Sequence, residues 1–413
     1  MGFGQGLSGL NAAAQNLDVI GNNIANSGTV GFKAGSATFA DVYANSRVGL
    51  GVQVASVNQR FTTGVVSTTG NQFDMAIDGA NGLFVVKMPG AETLYTRNGQ
   101  FIADKNNLIV NAQGQQLMGY GVTMDNSTAP PTPLPAMGGG LIGLTVPIGN
   151  IAPKSTAEIN NQLNLDVDAT AITAPFNPAD ATTYHRATPI NIFDSLGQSH
   201  TLTQYYTKTA DNTWRVDYRF AAMDGSTQSP APASITMTFD GDGRLTAPTA
   251  PTSFTIPSGA TGVGGANALT YTISFDKSTQ FAGNYDTKFT QDGYATGQYA
   301  SMSIDADGSV VANYTNGAKQ TMGFVALANF NNLQGLQPVG GNAWAETAAS
   351  GQPVAGTPGS NGMATLKGQA VEESNVDMSQ ELVNMIIAQR TYQANAQTIK
   401  TQDQIMQTLI SMR

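Results

Sequence analysis

No cysteine occurs anywhere in the 413 residues. That excludes disulfides, thiolate nucleophiles and most zinc sites together. Charge is scarce as well: Asp, Glu, Lys and Arg make up 11% of the chain, against about 25% in a typical soluble protein. The balance is acidic, at −9, and no cluster of Lys or Arg appears, so a nucleic-acid partner is not expected. No apolar run approaches the ~18 residues of a membrane span, so membrane insertion is not expected either. The first basic residue is Lys33. The N-terminus therefore lacks the positive region of a secretory signal, and its apolar residues are periodic rather than continuous. On these grounds alone a cytosolic protein of two to three domains is expected.

Catalytic constellations are also lacking. The two histidines, His185 and His200, stand outside any metal-ligand spacing and are expected on the surface or in loops. Asp240-Gly241-Asp242-Gly243 and Asp305-Ala306-Asp307-Gly308 hint at calcium loops but lack the further ligands, so turn chemistry explains them better. There is no dinucleotide fingerprint, Walker A loop or nucleophile elbow. Glu372-Glu373 precede a predicted helix and read as complements to its dipole. Asn126-Ser127-Thr128 and Asn313-Tyr314-Thr315 match a glycosylation sequon, a pattern short enough to recur by chance. No cofactor, metal or enzymatic activity is expected.

What the chain does have stands at its two ends. Phe3, Leu7, Leu10, Ala14, Leu17, Gly21 and Ile24 recur in steps of four and three, the a and d positions of three heptads. The pattern stops near Gly28, a plausible helix C-cap. Between Met378 and Arg413 the same step recurs in Leu382, Met385, Gln389, Tyr392, Ala396, Ile399, Asp403, Met406 and Ile410, uninterrupted by Gly or Pro. Asp377 with Gln380, or Ser374 with Asp377, offers a capping-box-like start. Two terminal heptad helices that pair would make the chain leave from one point and return to it.

Between the helices the signals are β. Phe39, Val42 and Tyr43 are spaced like a short helix or turn, and Val48–Val57 and Phe61–Val66 read as strands. Asp78-Gly79, Asn81-Gly82 and Asn98-Gly99 read as hairpin turns, with a proline-marked loop following from Pro130. Trp214, Val216, Tyr218 and Phe220 alternate with polar residues, as do Ile235, Met237 and Phe239, and Tyr271, Ile273 and Phe275. Each is a strand with one buried face. Phe324 to Phe330 is continuously apolar and is expected to be a buried strand. The expected fold is mainly β with a terminal α-helical coiled coil and nested, discontinuous domains. Residues 1–30 with 372–413 form the helical core, and 31–71 with 364–371 a linker. A first β domain spans 72–150 with 291–363, and a second, 151–290, is inserted in it.

The stretch Asn22-Asn23-Ile24-Ala25-Asn26-Ser27-Gly28-Thr29-Val30-Gly31-Phe32-Lys33 resembles the N-terminal signature of the bacterial flagellar rod and hook axial proteins. That signature reads N-N-[IL]-A-N-x-x-T-x-G-[FY]-[KR], and Asn22, Asn23, Ala25, Asn26, Thr29, Gly31, Phe32 and Lys33 match its positions. Val383 to Asn395 is similar to the family's closing helix, and Tyr95 to Phe101 and Leu117 to Tyr120 to its interior. The length and the large central insertion resemble the hook members.

The resemblance implies a structural subunit of the flagellar hook. Such a subunit polymerises with itself into a curved, flexible tube that couples rod to filament and transmits torque. It further implies an extracellular place in the flagellum, reached through the flagellar export apparatus without a cleaved signal. The implied partners are distal rod, hook cap, hook-length control and hook–filament junction proteins. Subunit assembly is expected at Phe3, Leu7, Leu10, Leu17, Ile24, Leu382, Met385, Tyr392, Ile399, Met406 and Ile410. A distal rod subunit is the nearest alternative. A secreted carbohydrate-binding or carbohydrate-cleaving β protein, with Trp214, Tyr218 and Tyr205 as a stacking platform, is the alternative of another class.

Overall fold

The computed structural model describes residues 3–42, 49–125, 131–222, 225–260 and 265–411. Tyr43, Val48, the Asn126-Ser127-Thr128 sequon and Pro130 lie outside the described residues. The chain divides into two compact units. The first comprises residues 1–148, 300–313 and 319–413, and the second 149–299 and 314–318.

The first unit begins and ends in helices. Helix α1 spans Phe3–Ala25 and helix α2 spans Met378–Ser411. Neither contains proline, and the side chain of Asp377 caps α2 by accepting the amides of Ser379 (2.9 Å) and Gln380 (3.1 Å). Gln380 turns forward to Asn384 (3.1 Å) rather than back to the cap, so only half of a capping box forms. The helices run antiparallel. A Cβ on Gly6 would lie 3.1 Å from Ile399 and one on Gly9 2.8 Å from Asn395. The two glycines thus let the backbones approach closely.

The inward row on α1 is Gly6, Ala13 and Ile20, and on α2 it is Glu381, Ala388 and Asn395. Both rows lie one residue before the heptad positions Leu7, Ala14, Gly21 and Leu382, Gln389, Ala396. Glycines permit the close approach to Ile399 and Asn395, while Phe3, Leu7 and Leu382 are turned outward.

The opposite flank of α1 lies on an antiparallel ribbon, Gly35–Val42 paired with Gly51–Gln59. Phe39 and Val42 therefore sit in a strand, not in a helix or turn. Of the expected Phe61–Val66 strand only Val66 is in a strand, as the first residue of Val66–Thr68. The residues before it give their polar backbone groups to side chains instead of a ladder, as Thr62 and Gly64 show below.

The β body of this unit joins early and late sequence in one sheet. Neighbouring strands include Lys319–Val325, Gln116–Tyr120, Leu83–Lys87, Thr93–Thr96 and Ala343–Ala345. Its core gathers Leu83, Val85, Tyr95, Phe324, Ala326, Ala328, Phe330 and Trp344, so the Phe324–Phe330 run is buried as expected. The Asp-Gly and Asn-Gly pairs near residue 80 do not close a hairpin. Met75–Asp78 pairs with Thr365–Gly368, and Leu83–Lys87 pairs with Thr93–Thr96. Asn98-Gly99 likewise joins strands with different partners. Gly99 is needed because a Cβ there would collide with the Met75 carbonyl.

The second unit packs two sheets face to face. One contains Glu158–Asp166 flanked by Leu269–Ser274 and Asp286–Gln291; the other runs Arg186–Phe193, Ser199–Ala210, Thr213–Ala221, Ser234–Phe239 and Leu245–Ala247. Trp214, Val216, Tyr218, Phe220, Met237, Phe254, Tyr271 and Ile273 fill the space between them. The Tyr218 and Phe254 rings lie 4.5 Å apart and those of Phe254 and Tyr271 5.7 Å. His200 is buried here, not on the surface, with Nε2 3.2 Å from Asp194. The expected boundary at residue 290 falls inside the Asp286–Gln291 strand. The unit runs on to residue 299 because Tyr294 and Gly297 bridge back to Lys154 and Ile151.

Candidate functional site

Two features of the first unit stand out: an apolar surface on the helix pair, and a buried ion cluster where the chain leaves and returns. On the helices, Phe3 and Leu7 are exposed, while Leu10, Leu17 and Ile24 are half-buried. On α2, Leu382, Tyr392, Met406 and Ile410 are exposed, and Met385 and Ile399 are half-buried. Val383, Ile386, Ile387 and Ile405 add to that surface. α2 continues to Ser411, well past the Gly6–Ile399 contact, whereas the described part of α1 begins only a turn before Gly6. The last two turns of α2 thus carry Ile405, Met406 and Ile410, and Ile410 is 72% exposed. Between α1, α2 and the ribbon lies a groove of about 640 Å³ lined by Ala12, Ala13, Val19, Ile387 and Thr391 among others. Arg60 bridges to Glu381 (3.4 Å) beside it.

The residues from Asn22 to Lys33 build the exit from α1. Asn26 donates to the carbonyl of Asn22 (3.0 Å), and Thr29 donates to Asn26 Oδ1 (3.1 Å). Asn23 is buried and clamps Gly35 on both sides, donating to its carbonyl and accepting its amide, each at 2.8 Å. These bonds finish the helix and turn the chain into the ribbon. Gly31 adopts φ +72° and packs on the backbone of Arg97 and Asn98, where any Cβ would collide. Its amide donates to the Glu372 carbonyl at 2.7 Å.

Lys33 then enters the interior. Its ammonium donates to Glu372 Oε1 (2.6 Å) and to the Thr62 carbonyl (2.7 Å). Arg97 donates to Glu372 Oε2 (2.9 Å), and to the Gly79 and Ala80 carbonyls. Gly64 donates its amide to Glu372 Oε1 at 2.8 Å. The side chains of Lys33 and Glu372 are fully buried and that of Arg97 nearly so. Burial pushes the pKa of Lys33 below its ordinary value, against the pull of Glu372, and acts in the same direction on Arg97. Asn375 completes the closure, accepting the Ala34 amide (2.8 Å) and donating to the Arg60 carbonyl (2.7 Å).

Glu372 is therefore not a helix-dipole complement. It stands six residues before α2 and is spent on two cations. Arg97 and Asn375 also escaped functional assignment from the sequence. The available signal was charge placed beside small and apolar residues, Ala370-Val371 before Glu372, in a chain poor in charge. Its partner lies 339 residues away, a separation no local pattern reports.

Trp214 and Tyr218 are buried in the second unit, so neither offers a face to a sugar. Among the described residues no group of three or more His, Asp or Glu side chains could hold a metal ion.

Four families match along the chain. Residues 5–33 match the family described as flagella basal body rod protein and 76–173 the flagellar hook protein FlgE/F/G D1 domain. Residues 163–294 match the flagellar basal body protein FlaE D2 domain, and 367–412 the flagellar basal body rod FlgEFG protein C-terminal region. The flagellar hook protein FlgE of Salmonella typhimurium is 45% identical over 416 residues, covering 100% of both chains. That of Escherichia coli K12 is 43% identical over the same span. That of Treponema pallidum is 31% identical and covers 99% of this chain and 98% of its own. Among solved structures, the Helicobacter pylori flagellar hook protein FlgE2 shares the fold, with a TM-score of 0.53 at 14% identity. It covers 74% of this chain and 99% of that one.

Proposed function

The chain belongs to the flagellar hook protein family and is a structural subunit of the bacterial flagellar hook, and from that premise we propose that it assembles through the outward apolar surface of its two terminal helices. The observation that carries the reading is the exposure of Phe3, Leu7, Leu382, Tyr392, Met406 and Ile410 beside a helix pair already closed by small residues. A helix with its inner row satisfied and an apolar outer face has a second partner to find. In a homopolymer that partner is the helix pair of the next copy. Each Leu, Ile or Phe covered there contributes roughly 1.5–3 kcal/mol.

Repeated around an axis, such contacts form a tube that couples rod to filament and carries torque. The polar, weakly charged β surfaces exchange neutral contacts with water at little net cost, which suits a wall that must bend. Rod, cap, length-control and junction proteins would meet this tube at its ends or during its growth. Export through the flagellum's own channel fits a chain with no disulfide to form.

The test is electron microscopy of purified protein under polymerising conditions, beside Met406→Asp and Ile410→Asp. Both positions are exposed, so the monomer's circular dichroism stays unchanged while tubes are lost. Equal tube yields from wild type and both variants would contradict the reading.

A further inference from the structure

Polar side chains interrupt the apolar core between the two sheets of the second unit. Asn161, Gln204, Tyr206, Tyr218 and Tyr271 are each at most 4% exposed. Asn161 and Tyr271 come from one sheet, and Gln204, Tyr206 and Tyr218 from the other. Gln204 stands opposite Tyr218 in the ladder, so the two share the inner face.

One atom of this seam is well supplied. Gln204 Oε1 accepts from Asn161 Nδ2 (2.9 Å) and from the Tyr206 hydroxyl. Gln204 Nε2, Asn161 Oδ1 and the hydroxyls of Tyr218 and Tyr271 have no hydrogen-bond partner within the protein. Turning both amides over exchanges their roles and still leaves one donor and one acceptor unmet. Burial raises the pKa of the Tyr218 phenol well above its ordinary value, and Tyr271 adds to the rise; burial acts likewise on Tyr206, with Tyr285 and Tyr218 adding to it. The phenols are therefore near neighbours. A buried amide or hydroxyl left unmet is costly, and here four lie along one seam. The seam reaches the rim at Tyr285, which is only partly buried. Its hydroxyl lies 3.3 Å from Thr188 Oγ1, and Arg186 covers its ring at 5.2 Å.

We propose that the second unit binds a small cluster of water molecules between its sheets, held by Gln204 Nε2, Asn161 Oδ1 and the hydroxyls of Tyr218 and Tyr271. Water suits this set. Gln204 Nε2 only donates, Asn161 Oδ1 only accepts and each hydroxyl does either, so a water between any two of them finds matched partners. None of the four groups is charged at neutral pH, so an ion would enter uncompensated, and an apolar ligand would leave all four unmet. The sheets are then joined through water as well as through their aromatic contacts.

The readout is magnetic relaxation dispersion of the solvent nuclei on the unassembled full-length chain, which registers long-lived bound water whether or not tubes form. Tyr218→Phe and Tyr271→Phe each remove one hydroxyl and keep the ring. Together they should lower the long-lived amplitude by about one water per chain. Asn161→Leu with Gln204→Met keeps the volume, removes the other two groups and should give a similar loss. Tyr218→Phe alone should lower the urea midpoint reported by Trp214 in a Trp344→Phe background, because a hydrated hydroxyl gives up hydrogen bonds. If the amide pair does not fold, the tyrosine pair still decides. An unchanged amplitude in every double variant that folds would overturn the proposal. So would a raised midpoint for Tyr218→Phe, the sign expected of a hydroxyl buried dry.

Discussion

The molecule closes twice, and the two closures are built from different materials. At the outer one, residues 31–35 meet 372–375 around a carboxylate with no solvent exposure, held by an ammonium, a guanidinium and a backbone amide. At the inner one, residues 151–158 meet 292–297 through backbone bridges and an ion pair, Lys154–Asp292 (2.9 Å), whose side chains are 50% and 23% exposed. Buried charge makes the outer closure hinge on Glu372, because losing that one carboxylate strands two cations in the interior. The inner closure can lose its ion pair to water and keep its ladder. Under the proposed assembly through the helices, a rigidly fixed root serves their contacts, and nothing comparable is asked of the inner entrance.

The largest effect expected is that of Glu372→Ala, which leaves Lys33 and Arg97 unpaired and should lower the stability of the first unit by about 3–5 kcal/mol. Differential scanning calorimetry would read it as a shift of one transition. Lys33→Met should cost less, about 1–3 kcal/mol, since Glu372 keeps its bonds to Arg97 and Gly64.

Asp292→Asn belongs to the inner closure and should cost about 1–2 kcal/mol in the second unit. Burial alone would raise the pKa of Asp292, but the amides of Glu158 and Ala157 and the Lys154 ammonium outweigh it and hold the carboxyl below its ordinary value. A depressed carboxylate stabilises the fold above its unfolded pKa, and that contribution is lost as pH falls through the folded one. Urea titrations between about pH 5 and 2 should therefore show the wild-type second unit losing stability toward acid more steeply than Asp292→Asn. Lys154→Ala should change stability by only about 0–1 kcal/mol, and less in high salt. A cost as large as that of Glu372→Ala would erase the contrast between the closures.

Much of this was legible in the chain. The alternation of Trp214, Val216, Tyr218 and Phe220 reports a buried strand face directly, because side-chain period and burial coincide there. The helices were legible from their heptads, but their register was not. Counting apolar residues selects Leu7 and Leu382, which are exposed, whereas the close approaches are Gly6 to Ile399 and Gly9 to Asn395, with Ala13 and Ala388 buried, and of these only Ile399 carries a strong hydrophobic signal. What the heptads mark is the outward surface. The Asn-Gly and Asp-Gly pairs were overread as hairpins because a tight turn does not say which strands pair across it, as Met75–Asp78 shows by choosing residues 365–368. Lys33 was visible only as the last position of a family signature. Its chemical reason lay in Glu372, beyond the reach of any local pattern.

The chain has two tryptophans, Trp344 in the first unit and Trp214 in the second, each buried. The most direct test is urea unfolding followed by fluorescence in two single-tryptophan backgrounds, with and without Glu372→Gln. The midpoint reported by Trp344 should fall while that reported by Trp214 stays in place. Equal shifts at both, or no shift at Trp344, would contradict a closure that rests on buried charge and serves the first unit alone.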